Sequence, residues 1–290
     1  MLIATMLIAT SFPVVAAIAD GLDALVLTFL RFLIAAVLFL PIVILKYGLT
    51  LPGLRDLARY AAISACMVGF FWCMFEALRT TTALNTGALF TFIPSIAALV
   101  SAVLLKDRLD RKKLIALVLG SVGALWVVFR GDPSRLLGLE LNHGDLIFFL
   151  GCIFFGFYTP LVKFFHKGEA MPVMTFWTLA TGALWLFLLS IPRLIEIDWP
   201  AIEPKVYLGT AYLAIFTTLI TFFLTQYSTV RLGPTRVMAY SYMNPALVLA
   251  LTWALGQTPP SLMILPGVFI VLGATVVLQG WLRLGGRSST

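Results

Sequence analysis

The stretch Ser11–Phe29, SFPVVAAIADGLDALVLTF, lies over Tyr158–Phe176, YTPLVKFFHKGEAMPVMTF, when the first half of the chain is shifted by 147 residues. Pro13 meets Pro160, Gly21 meets Gly168, Val26 meets Val173, Thr28 meets Thr175 and Phe29 meets Phe176. A second register, shifted by 151, lays ALFTFIPSIAALVSAVLL from Ala88 over AYSYMNPALVLALTWALG from Ala239. It pairs Ala88 with Ala239, Pro94 with Pro245 and Leu104 with Leu255, and one deletion later Gly123-Ala124 meets Gly273-Ala274. The matches run in the same order in both halves, which is the mark of an internal duplication.

The duplicated unit is apolar. The 290 residues are 61% hydrophobic and 11% charged, with a mean hydropathy of +1.01, outside the composition of soluble domains. Apolar segments recur from end to end at about 20 residues, the length a helix needs to cross about 30 Å of hydrocarbon. They lack the apolar–polar alternation of barrel strands. The expected fold is an all-α integral membrane protein with ten transmembrane helices, at 1–18, 24–45, 59–79, 83–105, 113–130, 145–165, 172–192, 207–229, 237–256 and 261–282. Ten spans make two five-helix repeats, 1–130 and 143–283. Five is odd, so the second copy enters the membrane inverted relative to the first, an arrangement that serves alternating access.

Loop charges orient the chain. Lys46, Arg55, Arg59, Lys106, Arg108, Arg111, Lys112, Lys113, Lys163, Lys167, Arg231, Arg236, Arg283 and Arg287 fall on one side with four acids, a balance of +10. Arg79, Arg130, Arg135, Arg193 and Lys205 fall on the other with nine acids, a balance of −4, and Arg31 supplies the last unit of the net +7. The basic surplus therefore places both termini in the cytoplasm, in a multi-pass inner-membrane protein, and gives no support to nucleic-acid binding. Cys66, Cys73 and Cys152 all lie within spans and read as small packing residues. Ala17-Ile18-Ala19 resembles a cleavage site, but no basic segment precedes it, Pro13 interrupts the run, and span 1 has a repeat partner in span 6.

These features resemble the drug/metabolite transporter superfamily, specifically its EamA-type ten-span members. Ser11-Phe12-Pro13 in span 1, Leu30-Arg31-Phe32 in span 2, and the proline then glycine-alanine pattern of spans 4 to 5 and 9 to 10 carry the resemblance. It implies a ten-span transporter of small solutes. Members often carry a glutamate where span 4 ends; here Leu105-Lys106-Asp107-Arg108 leaves Asp107 at that place, and span 9 ends Gly256-Gln257.

Ionisable groups inside spans are the first functional candidates, since an arginine at a span centre costs about 2.5–3.5 kcal/mol on insertion scales. Arg31 lies about 10 Å inside the outer end of span 2 at 1.5 Å per residue. It is placed to snorkel or pair with a carboxylate or helix-end carbonyls, or else to line a cavity and hold an anionic substrate group. Its repeat partner is Thr178. Glu76 is the nearest acid by depth and pairs either with Arg31 or, at i+3, with Arg79; no other acid lies clearly within a span. His166 and His143 read as solvated.

Tyr240 and Asn244 share a face before Pro245, which frees the carbonyl of Ser241. Pro94 makes the matching break beside Thr91 and Ser95. Pro13 and Pro160 complete the set of helix-break candidates for gating. Trp72, Tyr158, Trp177, Gln226 and the span-8 threonines Thr217 and Thr221 add aromatic and hydrogen-bonding surface to the candidate substrate site, against a competing reading as lipid belt or interhelical contacts. Gly120, Gly123, Gly267 and Gly273 suit close packing of spans 5 and 10, which would also serve a homodimer contact. The expected partners are a small-molecule solute and membrane lipid, with no metal or other cofactor.

The leading function is a secondary transporter, an exporter of amino acids or similar small metabolites. Cationic drugs would want a cavity carboxylate and sugar-nucleotides several cations. A membrane-embedded enzyme acting on lipid-linked substrates would want clustered Asp, Glu, His or Cys, which the spans lack. A receptor leaves the inverted repeat unexplained.

Overall fold

The computed structural model describes residues 1–48, 51–81, 83–134, 138, 141–256 and 261–280. Among them helix is the only regular structure. The first half comprises α1 (Leu2–Ile18), α2 (Ala24–Tyr47), α3 (Leu54–Ala77), α4 (Ala83–Phe90), α5 (Ile93–Leu104) and α6 (Arg111–Val128). The second comprises α7 (His143–Phe165), α8 (Met171–Glu196), α9 (Pro204–Tyr212), a π-helical stretch Leu213–Ile220, and α10 (Thr221–Leu232). Then follow α11 (Pro234–Ala239), a 3-10 turn Tyr240–Met243, α12 (Asn244–Ala254), a 3-10 turn Leu262–Ile264 and α13 (Leu265–Gln279). Arg135, Gln257, Arg283 and Arg287 and the end of the tenth expected span lie outside the described residues.

Among the described residues, eight helical stretches are long and apolar enough to cross a membrane: Leu2–Gly21, Ala24–Tyr47, Leu54–Ala77, Asn85–Leu104, His143–Phe165, Met171–Glu196, Pro204–Leu232 and Leu262–Gln279. The chain is thus a multi-pass membrane protein. α6, which opens on Arg111, Lys112 and Lys113, and the interrupted stretch Pro234–Ala254 are helical without being among the eight.

Local chemistry sets the helix ends. The Asp23 carboxylate accepts from the N–H groups of Leu25 and Val26 at 2.9 and 3.3 Å to start α2. Asp110 caps α6 through the N–H of Lys113 at 2.8 Å. At α7 the Asn142 side chain accepts from the Asp145 N–H while Asp145 accepts from the Asn142 N–H, a capping box. Pro94 and Pro245 sit in the first turns of α5 and α12, each following a break in the helix. Pro13 and Pro160 do not break anything: α1 and α7 run through them, so their expected role as helix breaks is corrected.

Four tie points group helix ends into two sets. Arg193 Nη1 pairs with Asp23 at 3.1 Å, and the Asn142 amide donates to Thr80 O at 2.9 Å, at the end of the bundle we term distal. Lys167 Nζ pairs with Asp56 at 3.2 Å, and the Gln279 amide donates to Arg236 O at 2.9 Å, at the opposite, proximal end, which carries Met1. Within the bundle α2 packs on α8, α3 on α7 and α8, α5 on α7 and α11, and α6 on α13; α1 lies against α12, α10 and the π-helical stretch, which also touches α2.

Close approach explains three of the four small-residue positions in α6 and α13. A Cβ on Gly123 would meet Gly267 O at 2.9 Å, one on Gly267 would meet Gly123 O at 2.7 Å, and one on Gly120 would meet the Tyr242 ring at 2.5 Å. Gly273 differs: nothing lies within 4 Å of its Cβ position, so packing does not require it. The outward faces stay apolar, as Ile115, Val118 and Leu119 of α6 illustrate.

Candidate functional site

The inward face of α2 is Thr28, Arg31, Phe32, Ala35, Ala36, Phe39 and Val43, spaced three or four apart. Arg31 belongs to this buried face. It is 8% exposed, so the expectation that it snorkels is overturned. Its Nε donates to Thr218 Oγ1 and its Nη2 to Thr217 Oγ1, each at 3.2 Å, and its guanidinium carbon lies 5.8 Å from the Phe71 ring centre. Among the described residues no carboxylate pairs with it. The reason for burial is geometric, since this helix face meets α8 and the second half rather than lipid.

The two threonines lie in the π-helical stretch, a widened turn of a kind that recurs at functional sites. Thr217 Oγ1 donates in turn to Leu213 O at 2.9 Å, and Thr221 Oγ1 to Thr217 O at 2.8 Å. The Thr217 hydroxyl thus spends its proton on the backbone and turns a lone pair toward the cation. Neutral dipoles solvate Arg31 without cancelling its charge.

A closed circuit of six aromatic side chains adjoins this site. Phe32 meets Phe71 at 6.0 Å, Phe71 meets Phe70 at 5.4 Å, and Phe70 stacks on Phe155 at 4.8 Å. Phe155 meets Tyr158 at 6.3 Å, Tyr158 meets Phe222 at 5.9 Å, and Phe222 returns to Phe32 at 5.2 Å. Four elements from both halves, α2, α3, α7 and α10, contribute to it. The spacings are those of favourable edge and offset ring contacts.

A second polar group lies further along α10. Thr175 Oγ1 donates to Gln226 Oε1 at 2.8 Å, and Tyr158 lies beside Gln226 and Cys66. The Tyr158 hydroxyl and Gln226 Nε2 are buried next to each other, and neither makes a well-formed hydrogen bond to any other group of the low-dielectric core. Gln226 is eight residues beyond Thr218, about 12 Å along a helix. Arg31 and the Tyr158–Gln226 pair therefore flank Phe222 on the same line.

The other candidates are dispersed. Trp72 is 45% exposed on the bundle's perimeter. Glu76 pairs with Arg79 at 3.5 Å and leaves Arg31 alone. Thr91 is buried beside the α4–α5 break, where its hydroxyl donates to Ala88 O and its carbonyl accepts from Ser121. Tyr240 and Asn244 are buried at the break before α12, with Asn244 Oδ1 unpartnered. Pro13 lines an apolar cleft with Val14, Gly209 and Leu251. Trp177 lines a polar cavity at the proximal end. His166 is enclosed rather than solvated, 3.4 Å from Glu169.

Several groups escaped the sequence reading. Asp145 is 2% exposed and accepts from Thr81 Oγ1, from Asn85 Nδ2 at 2.8 Å and from the Asn142 N–H at 2.7 Å, binding α7 to the α3–α4 connection at the distal end. Its signal was the asparagine three residues earlier. Tyr242, not Tyr240, makes the bonds of its turn: its hydroxyl donates to Leu117 O at 2.9 Å and lies 3.2 Å from Ser121 Oγ. Among the described residues no three His, Cys, Asp or Glu side chains are grouped to hold a metal.

Comparison with known proteins places this architecture. The EamA-like transporter family model matches residues 1–129 and again 142–279. The uncharacterized transporter YyaM of Bacillus subtilis is 26% identical over 258 residues, spanning 88% of this chain and 82% of its own length. The uncharacterized transporter YdfC of the same organism is 26% identical over 272 residues, 91% of this chain and 85% of its own. An uncharacterized transporter of Archaeoglobus fulgidus is 24% identical over 260 residues, 87% of this chain and 86% of its own. One solved crystal structure superposes with a TM-score of 0.79 at 19% identity, covering 98% of each chain, which shows a shared fold. Two matches that together cover most of the sequence leave one conclusion: the chain belongs to the EamA-like transporter family.

Proposed function

We propose that this chain is a secondary transporter that exports amino acids or similar small carboxylate-bearing metabolites, by alternating access of two inverted five-helix halves. The observation that carries the substrate class is Arg31, a buried cation with two hydroxyl acceptors and no counter-carboxylate among the described residues. A solute carboxylate meeting Arg31 in a water-poor interior gains far more than it would in bulk water. The adjacent Tyr158 hydroxyl and Gln226 amide, which lack well-formed bonds to other groups, offer further contacts to a polar solute on the other side of Phe222.

Packing supports the inverted repeat. Exchanging each helix for its sequence counterpart carries the α5–α7 contact into the contact of α12 with α1, and the α3–α8 contact into that of the π-helical stretch with α2. The α2–α8 and α6–α13 contacts map onto themselves. A two-fold relation between the halves has this property, and an odd number of spans in each would give them opposite directions. The excess of lysine and arginine at the proximal end supports cytoplasmic termini in the inner membrane.

Cationic drugs are less well served, because Glu76 is half exposed and occupied by Arg79. The test is flux: purified protein in liposomes, loaded with labelled amino acids and related metabolites, is expected to exchange at least one carboxylate-bearing solute faster than empty vesicles. No exchange across the panel would remove the proposal's support.

A further inference from the structure

We infer that the proximal cavity is a loading site for the zwitterionic head of an amino acid. The inference rests on the amino-acid reading above and extends it to a second place in the molecule. The cavity, about 270 Å³, is lined by Asp56, Arg59 and Tyr60 of α3, by Lys167 and Glu169 of the α7–α8 connection, and by Trp177 of α8. Its charged lining is two cations and two carboxylates. Such a set suits a ligand carrying one charge of each sign, whereas an anion or a cation alone leaves one pair facing it with the wrong sign.

The charges are already engaged with one another across the two halves. Asp56 holds Arg59 Nη2 at 2.7 Å and Lys167 Nζ at 3.2 Å. Arg59 Nη1 donates to Phe165 O at 2.6 Å. Tyr60 donates to Glu169 at 3.3 Å, and Glu169 also accepts from the Lys167 N–H at 2.7 Å and faces His166. These bonds tie the start of α3 to the loop before α8 and close the bundle there. Two nitrogens of this cluster are left over: Arg59, 9% exposed, has its Nε buried without an acceptor, and His166 Nδ1 is buried without a hydrogen-bond partner.

A zwitterion supplies what this arrangement lacks. Its carboxylate is an acceptor for Arg59 and Lys167, and its ammonium is a donor for Asp56 and Glu169. The Lys167–Asp56 pair, whose side chains are 63% and 41% exposed, is exchanged for two ligand contacts at little loss, since exposed pairs are weak. With that pair parted, Tyr60 to Glu169 and Arg59 to Phe165 O still tie α3 to the end of α7 and the loop after it, so the ligand is taken up without taking the proximal end apart. Trp177 at the cavity wall gives the solute side chain an apolar face and gives the experiment its reporter.

The experiment is a tryptophan-fluorescence titration of the purified full chain with leucine, leucinamide and N-acetyl-leucine, repeated in Trp177→Phe, Lys167→Gln, Asp56→Asn and Arg31→Gln. Leucine is expected to give a saturable change that Trp177→Phe removes, and each single-charge analogue to bind about tenfold more weakly. Lys167→Gln and Asp56→Asn, both at exposed positions, are expected to weaken leucine about fivefold or more while the proteins melt as wild type. Arg31→Gln is expected to leave the signal intact, since it alters the distant site. Equal binding of the three ligands, a signal that survives in Trp177→Phe, or one that vanishes in Arg31→Gln would each overturn the inference. Because the titration needs no flux, its failure is distinct from failure of the transport reading.

Discussion

Arg31 Nε donates to Thr218 Oγ1 at 3.2 Å, joining a residue of the first duplicated segment to one of the second inside the bundle. Hydrogen bonds to charged groups contribute about 1.5–3 kcal/mol, so Thr218→Val is expected to destabilise the solute-free protein by about that amount. A transported solute would then gain by replacing the missing acceptor. Thermal unfolding in detergent should show a lower Tm without solute and a wider upward shift with it. An unchanged Tm would mean that the threonine does not solvate the cation.

Phe222 closes the aromatic circuit, touching Phe32 at 5.2 Å and Tyr158 at 5.9 Å between the two polar groups. Removing the ring joins them. Phe222→Ala is expected to destabilise by up to about 3–5 kcal/mol, the range for large-to-small core changes, and to let small polar solutes leak through liposomes without exchange. Phe222→Leu should keep the vesicles tight. Equal leak rates in wild type and Phe222→Ala would show that the circuit is no barrier.

The distal end depends on Asp145, which gathers Thr81, Asn85 and the Asn142 N–H around one buried carboxylate. Asp145→Ala leaves those donors without their acceptor and undoes the capping box of α7. The expected loss is about 1–3 kcal/mol, read as a lower Tm, with Asp145→Asn intermediate because it keeps one acceptor oxygen.

Glycines in the α6–α13 contact separate into two kinds. A Cβ on Gly123 would stand 2.9 Å from the Gly267 carbonyl, whereas Gly273 has open space. Gly123→Ala is expected to cost about 1–3 kcal/mol through overpacking. Gly273→Ala should be neutral or stabilising by up to about 1 kcal/mol, from helix propensity. Matching melting curves for the two variants would contradict this close approach.

Helix positions were legible in the sequence because hydropathy and the Pro94/Pro245 match mark both the segments and their breaks. Direction was not legible. Where nearly every residue of α2 is apolar, the buried stripe of Thr28, Arg31 and Phe32 cannot be told from the lipid-facing one, so Arg31 read as able to reach the headgroups. Trp72 failed for the same reason on α3, where no polar face says which side of the helix is inside. The aromatic circuit draws on residues 32, 70, 71, 155, 158 and 222, which only tertiary packing assembles. Pro13 and Pro160 misled because a membrane helix whose neighbours pack around it runs through proline without a break.

In the proposed mechanism Arg31 holds the carboxylate of the transported solute. The most direct measurement compares initial uptake of an exchanged amino acid and of its carboxamide in proteoliposomes, with wild type and with Arg31→Gln. Wild type is expected to prefer the carboxylate by about tenfold or more, and Arg31→Gln to insert and fold normally but lose that preference. A variant that transports the carboxylate form with wild-type preference would contradict it.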